Sequence, residues 1–248
     1  MSIEIQKAKW WKRILSFIVD AATISIIAVV VCLLMARILK YEENSNNLNK
    51  KYEYYEETYN VSFELTEEEY NQFTEEEINK YQEVQEIINN DEEFINIFKK
   101  MVILTIVIIA IGVFVGVMVV EFIIPLFLKN GQTIGKKMFD LCLVRPNSVK
   151  VSILQIFVRT FFGKYIIEIM LPIVLIILYI FGSLVSETII GIISLLVIQI
   201  CIYFSKNYRQ FLHDRFSVVI VVDKQEQKIF DTYDELILYN QNKKSEDK

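Results

Sequence analysis

Four apolar runs dominate the hydrophobic pattern of this chain, and each is long enough for a helix that crosses a lipid bilayer. We expect transmembrane helices at Ile14–Leu39, Met101–Leu128, Tyr165–Gly182 and Glu187–Phe204. Only Ser183–Ser186 separates the last two, so we expect those helices to form an antiparallel hairpin. The fold class that follows is an all-α membrane protein with four transmembrane helices and an acidic helical insert outside the cytoplasm. A small cytoplasmic β-element completes it.

Polar residues fill the insert between the first two runs, residues 41–100. Residues 41–96 contain 17 acids and three lysines, a formal charge of −14, whereas the whole chain carries −5. Thr66 and Thr74 each precede a Glu by three residues, a pattern typical of capped helix starts. An apolar stripe follows the second start, and its partner is either the preceding short helix or a second copy of the chain. We expect a solvated helical cap; the alternative is a surface that concentrates cations or binds a protein.

Basic residues gather before the first run, between the second and third, and after the fourth. With four crossings these regions share one side of the membrane, and the positive-inside rule makes that side cytoplasmic. We therefore expect a multi-pass cell-membrane protein with both termini in the cytoplasm. Its segments are the N-terminus with the first helix (1–40), the insert (41–100), the second helix (101–128), a connector (129–164), the hairpin (165–204) and the tail (205–248).

A carboxylate, Asp20, lies about two turns inside the first apolar run. A charge at such depth is costly in hydrocarbon and usually faces a partner, a polar cavity or a transported ion. Arg13 precedes it by seven residues, about 10.5 Å along a helix and on nearly the same face. We therefore expect Arg13 to lie at the headgroup level, in line with Asp20.

The connector opens with Gly131-Gln132-Thr133-Ile134-Gly135-Lys136. Its glycines permit tight turns, but the spacing does not fit a phosphate-binding P-loop. Residues 139–152 predict a small β-hairpin around Pro146-Asn147-Ser148. The next helix interleaves Arg159 with phenylalanines, so it either lies in the membrane interface or packs against the inner ends of the spans.

Leu212-His213-Asp214-Arg215 follows the fourth run and precedes the β-branched segment Phe216–Val222. That segment predicts a strand pairing with the hairpin rather than a fifth span. Asp214 is placed to turn inward and pair with Arg13. His213, the only histidine, is either a proton relay or ligand, or a hydrogen-bonding residue that fixes the exit of the fourth helix. The absence of a second histidine in the sequence favours the hydrogen-bonding role.

The sequence does not fit a metalloprotein, an enzyme or a nucleic-acid-binding protein. Cys32, Cys142 and Cys201 are odd in number and far apart, so they predict neither a disulfide framework nor a metal site. The topology brings no Ser/His or Cys/His pair together, and we expect no enzyme and no cofactor. Orientation already explains the basic residues, so we do not expect nucleic acid binding.

Together these residues resemble the RDD family of membrane proteins. Arg13 and Asp20 match the arginine and aspartate of that family's first helix, and Asp214 matches its second aspartate. Residues 131–136 match its Gly-Gln-Thr-x-Gly-Lys connector, and residues 212–215 match its Leu-His-Asp-Arg element. Arg159 resembles the basic residue usual in the family's connecting helix. The chain departs from the family in its long insert and in Phe216-Ser217-Val218-Val219, which lacks the expected small residues.

The resemblance implies an integral membrane protein, a class for which transport of ions or other ligands has been proposed. Our leading hypothesis is a transport protein in which Asp20 binds or exchanges a cation or proton. Four spans are few for a monomeric transporter, so we expect a homo-oligomer in the lipid bilayer. The alternative is a non-transporting scaffold or accessory protein in which Arg13, Asp20 and Asp214 form a structural ion-pair network. The acidic insert would then bind a protein partner.

Overall fold

The computed structural model describes residues 5–180, 185–204 and 210–246, which fall into two compact units. One unit contains the chain up to Ala28 and from Val113 onward, and the other is Val29–Gly112. The first unit holds all the motif residues singled out above, and the second holds the acidic insert.

Two helical segments are long and apolar enough to cross a membrane. They are α1 (Trp10–Ile38) and the segment Glu92–Phe127, which comprises α5 (Glu92–Met118), a π-helical turn (Val119–Ile123) and α6 (Ile124–Phe127). Few residues in their apolar stretches are buried, 11% in the first and 22% in the second, as in helices that face lipid rather than a protein core. Both segments begin a few residues before the predicted spans, and they support the first and second.

The third predicted span is part π-helix and part α-helix, and the fourth predicted span is an α-helix with a shorter apolar stretch. Residues 153–180 form α8 (Ile153–Val158), a π-helical stretch (Arg159–Met170) and α9 (Leu171–Ile180). The next helix, α10 (Val185–Phe204), contacts α9 as a hairpin requires. Residues 183 and 184 of the predicted connection lie outside the described residues, and these two spans remain predictions.

The insert folds on an aromatic core of its own. It contains α2 (Tyr41–Tyr59), α3 (Glu67–Tyr70) and α4 (Glu75–Asn90), and it continues into the start of α5. The apolar stripe of α4 buries Val84 and Ile88 against Tyr55 of α2 and Phe94 of α5. Its main partner is the upstream aromatic segment of the same chain, which was not predicted because that segment shows no clear sequence period. The predicted contact with the preceding short helix is also present, since Tyr81 packs on Tyr70 and Phe73.

Both predicted helix caps are present. The Thr74 hydroxyl accepts the Glu77 N–H at 3.3 Å, while the Glu77 carboxylate accepts the Thr74 N–H at 2.8 Å. Thr66 and Glu69 exchange the same pair of hydrogen bonds at the start of α3. These reciprocal contacts satisfy backbone N–H groups that a helix start leaves free.

A two-stranded sheet joins the connector to the tail. β1 (Leu141–Val144) pairs antiparallel with β2 (Ile220–Asp223), with Val144 opposite Ile220. Both strands are buried along their length because apolar side chains cover each face. This confirms the predicted pairing, although the second strand begins at Ile220 because residues up to Phe216 belong to a helix.

The predicted hairpin after β1 is only a tight turn. The Arg145 N–H donates to the Val149 carbonyl at 2.9 Å, and one bridge joins Val144 to Lys150.

Three short helical segments and one longer helix complete the unit. They are a 3₁₀ turn (Lys129–Gly131), α7 (Ile134–Met138), α11 (Leu212–Phe216) and α12 (Tyr233–Glu246).

Candidate functional site

Asp20 holds the connector against α1. Its carboxylate, 2% exposed, accepts a 2.6 Å hydrogen bond from the Thr133 hydroxyl and a 2.8 Å bond from the Gly135 N–H. The Thr133 hydroxyl in turn accepts the Lys136 N–H at 3.2 Å and caps α7. A Cβ at Gly135 would lie 2.1 Å from the carbonyl oxygen of Ser16, so only glycine permits this approach. The connector motif is therefore a backbone cradle for the intramembrane aspartate.

Lys136 places a buried ammonium group between two carboxylates. Its Nζ lies 3.8 Å from Asp20 Oδ2 and 3.6 Å from Glu121 Oε2, beyond normal hydrogen-bond distance of either. Among the described residues, the oxygen within hydrogen-bond distance of this ammonium is the Thr133 hydroxyl, at 3.2 Å. Burial, only partly opposed by Glu121, lowers the pKa of Lys136 to about 8. Loss of a proton from this ammonium is thereby made easier than from an exposed lysine.

Glu121 lies at the centre of the charged groups and is 1% exposed. It accepts a 3.0 Å hydrogen bond from Arg159 Nη1 and another from the Lys164 ammonium. The Thr160 hydroxyl donates to the Glu121 carbonyl at 2.9 Å, which ties the two chain segments together. A π-helix bonds residues five apart, so its winding brings Arg159 and Lys164 toward one face.

The sequence does not single out Glu121 beyond its position near the end of the second apolar run. The five-residue spacing of Arg159 and Lys164 indicates a shared partner only if the helix is π-wound, and no apolar period in the sequence marks that winding. In a regular α-helix, side chains five residues apart point in directions that differ by more than a third of a turn around the helix axis.

Asp214 joins two arginines and is fully buried. Its Oδ1 accepts a 2.8 Å bond from Arg159 Nε, and its Oδ2 accepts a 2.9 Å bond from Arg13 Nη2. Burial alone would raise the pKa of Asp214, but His213 and Arg159 hold it well below its usual range. The pairing of Arg13 with Asp214 predicted from the sequence is thus formed.

A ladder of alternating charge results. We call it the charge ladder, and its members in spatial order are Asp20, Lys136, Glu121, Arg159, Asp214 and Arg13. The ladder corrects the expectation that Arg13 is the charged partner of Asp20. Among the ion pairs of the described residues, the carboxylate partner of Arg13 is Asp214, and the cationic partner of Asp20 is Lys136. The physical reason is that the connector fills the space beside Asp20.

His213 bridges the ladder to a further carboxylate. Its Nδ1 lies 2.7 Å from Glu168 Oε1, and its Nε2 lies 3.2 Å from Asp214 Oδ1. A Cβ at Gly163 would lie 2.6 Å from the Cβ of His213, so glycine is needed for the histidine to reach this position. The contacts fit the predicted hydrogen-bonding role, and they also leave the ring between two proton acceptors.

The remaining predicted residues surround the ladder. Gly131 adopts φ +62° and packs on Leu143, while Gln132 Nε2 donates to the Leu141 carbonyl at 2.7 Å. Both therefore anchor the connector to β1. Arg215 is half-buried, and within the described residues it makes no ion pair with the ladder.

A family model for the RDD family matches residues 7–218, which include every member of the ladder. The chain belongs to the RDD family. No curated protein and no solved structure matches it. In this RDD protein the side chains of the family's arginine and its two aspartates are at most 8% exposed, but they belong to different parts of one ladder.

The connecting helix of this RDD protein packs inward on one side. Arg159, Thr160 and Gly163 are buried, whereas Leu154 and Phe162 are exposed. Of the two predicted alternatives, packing against the helices is present on the charged side, where Arg159 and Thr160 bond to Glu121, and the exposed apolar side is free to contact lipid. No group of three or more metal-ligating side chains occurs in the described part of the chain.

Proposed function

We propose that this RDD-family membrane protein transports a small cation or a proton, and that Lys136 exchanges a proton during transport. One observation carries the proposal. The Lys136 ammonium is buried between Asp20 and Glu121, yet lies 3.8 and 3.6 Å from their nearest oxygens. Asp20 and Glu121 act as its counter-charges, so the proton leaves a site that two carboxylates keep polar.

The two ends of the ladder differ in how well their charges are paired. Charge-assisted hydrogen bonds in stable ion pairs are about 2.7–2.9 Å long, and Arg159 approaches this with contacts of 2.8 and 3.0 Å. Burial would lower the pKa of Arg159, but Asp214 and Glu121 outweigh it and raise that pKa. Arg159 thus remains charged and holds the helices, while Lys136 is the member able to change its charge.

Membrane context strengthens the argument. Ionisable residues inside membrane helices are rare and usually mark ion or proton pathways. A lysine whose pKa lies near 8 changes charge close to physiological pH, unlike an arginine. We further propose the four-span topology with both termini in the cytoplasm, a homo-oligomer, and no enzymatic activity.

A structural scaffold is the second candidate. One observation favours it: within the described residues, every carboxylate of the ladder already has a cationic partner. Buried ion pairs of this kind can hold helices together without moving a substrate. The scaffold predicts that Lys136→Arg, which keeps the positive charge without releasing a proton, behaves like the wild type, whereas Lys136→Gln destabilises the fold.

The test is proton and cation flux in liposomes that contain the purified protein, with Lys136→Arg, Lys136→Gln and Lys137→Gln in parallel. Arginine keeps the charge but does not release its proton, so Lys136→Arg separates titration from folding. Lys137 is the exposed neighbour and gives a matched control. We expect flux to fall roughly tenfold or more in both position-136 variants and to persist in Lys137→Gln.

Thermal unfolding of each variant accompanies the flux measurement. Normal flux in folded Lys136→Arg would overturn the role of Lys136. No flux in the wild type under Na⁺, K⁺ or pH gradients would overturn transport and favour the scaffold.

A further inference from the structure

An open groove of about 730 Å³ lies in the Val29–Gly112 unit, where α2, α4 and α5 meet. Polar and basic side chains form much of its lining, together with the apolar residues Ile87 and Ile97. The polar residues of the lining include Asn44, Asn47, Lys50, Lys51, Tyr54 and Lys100. The groove shares no residue with the charge ladder.

Lysines are concentrated in the lining of this groove, although the surrounding segment is strongly acidic. Residues 41–96 contain only three lysines, and two of them, Lys50 and Lys51, line the groove beside Lys100. A solvated acidic cap would spread its few lysines among its 17 acids. Their concentration in one concave site indicates a requirement for positive charge there.

The acids of the lining are already engaged. Glu93 pairs with Lys51, and the Asp91 carboxylate accepts the Tyr55 hydroxyl and the Glu93 N–H at the start of α5. Burial of the Tyr55 hydroxyl and its bond to Asp91 raise the Tyr55 pKa, so that phenol stays a donor to the carboxylate. Both acids of the lining therefore have a partner within the protein.

Lys50 and Lys100 are left with their charge available. Both are exposed, and within the described residues neither makes an ion pair. The side-chain amides of Asn44 and Asn47 add neutral donors to the same lining. Ammonium groups with nearby amide donors suit a phosphate oxyanion, which accepts several hydrogen bonds at once.

The groove also lies close along the chain to both apolar segments. Asn44 follows shortly after the end of α1 at Ile38, and Lys100 directly precedes the apolar run that begins at Met101. A headgroup at the membrane surface is therefore within reach, and Ile87 and Ile97 offer apolar contact to its glycerol region. We propose that this groove binds the phosphate headgroup of a phospholipid.

The experiment measures phospholipid retained by the full-length protein. Protein from liposomes of phosphatidylglycerol and phosphatidylcholine is extracted in a neutral detergent, and bound lipid is counted by native mass spectrometry. Lys50→Gln/Lys100→Gln removes the two unpaired ammonium groups. Lys80→Gln/Lys99→Gln makes the same charge change at exposed lysines outside the groove lining.

We expect Lys50→Gln/Lys100→Gln to lower the affinity for one bound phospholipid roughly tenfold or more, with the control variant like the wild type. Equal retention in all three proteins would overturn the proposal. Inorganic phosphate at millimolar concentration that displaces the lipid from wild type would assign the groove to free phosphate instead. If the double variant unfolds, Lys100→Glu alone gives the same comparison, and neither result depends on flux.

Discussion

Asp20 accepts a 2.8 Å hydrogen bond from the backbone N–H of Gly135, which fastens the connector to α1. The contact needs a residue without a side chain, because a Cβ there would meet Ser16 at 2.1 Å. It also places Lys136 next to Asp20. The geometry of the charge ladder therefore depends on a glycine that carries no charge itself.

Gly135→Ala should destabilise the protein by about 2 kcal/mol or more, since the added methyl forces α1 and α7 apart. Thermal unfolding in detergent measures this. Gly191→Ala is the matched control, because a Cβ at Gly191 would lie 3.4 Å from Leu175, an ordinary contact. Equal stability of the two variants would contradict the close approach at Gly135.

Thr133→Val should cost about 1–3 kcal/mol, because Asp20 loses a hydroxyl donor while α7 loses its cap. Thr133→Ser keeps the hydroxyl and should retain most of the stability. Chemical unfolding of both variants tests the difference. A valine variant as stable as the wild type would contradict the role of the Thr133 hydroxyl, because valine keeps the methyl and lacks only the hydroxyl.

Arg159→Met should destabilise by about 3–5 kcal/mol, because it leaves Glu121 and Asp214 buried with fewer partners. Arg159→Lys should rescue little, since one ammonium does not match the Nε and Nη1 contacts made to two separate carboxylates. Arg215→Met serves as the control for a half-buried arginine outside the ladder and should change stability by less than about 1 kcal/mol. A similar loss in both methionine variants would argue against a special role for Arg159.

The pH dependence of stability should report on Lys136, whose pKa is lowered from 10.5 to about 8 by burial in the folded protein. Between these values the unfolded chain binds more protons, so the contribution of Lys136 to stability rises with pH. Its unfavourable effect is fully present below about pH 8. The melting temperature of wild type relative to Lys136→Met should therefore increase between about pH 8 and about pH 10. A difference that stays constant over this range would mean that the lysine titrates normally.

Much of the first unit was predictable because local patterns there agree with the tertiary structure. Asp20 inside an apolar run requires a polar partner, and the β-branched segment after Asp214 fits one strand of a small sheet. The placement of Arg13 next to Asp214 followed from the expected level of both residues at the membrane surface. The sequence did not predict that the connector supplies the partners of Asp20, because those contacts depend on how the connector folds back onto α1.

Glu121 and the insert show why the rest could not be predicted. The π-helical winding that sets Arg159 and Lys164 toward Glu121 leaves no regular apolar period to detect. In the insert, Tyr55 belongs to an aromatic and acidic segment without a clear period, yet it is a buried core residue. In both places long-range packing, rather than local preference, fixes the structure.

Flux of protons, Na⁺ and K⁺ into liposomes with purified wild type and Asp20→Asn tests the central claim most directly. Asparagine keeps the shape and one oxygen acceptor but removes the counter-charge of Lys136. We predict flux in the wild type and its loss in an Asp20→Asn protein that unfolds at a similar temperature. Absence of flux in the wild type, or undiminished flux in the folded variant, would contradict transport through this site.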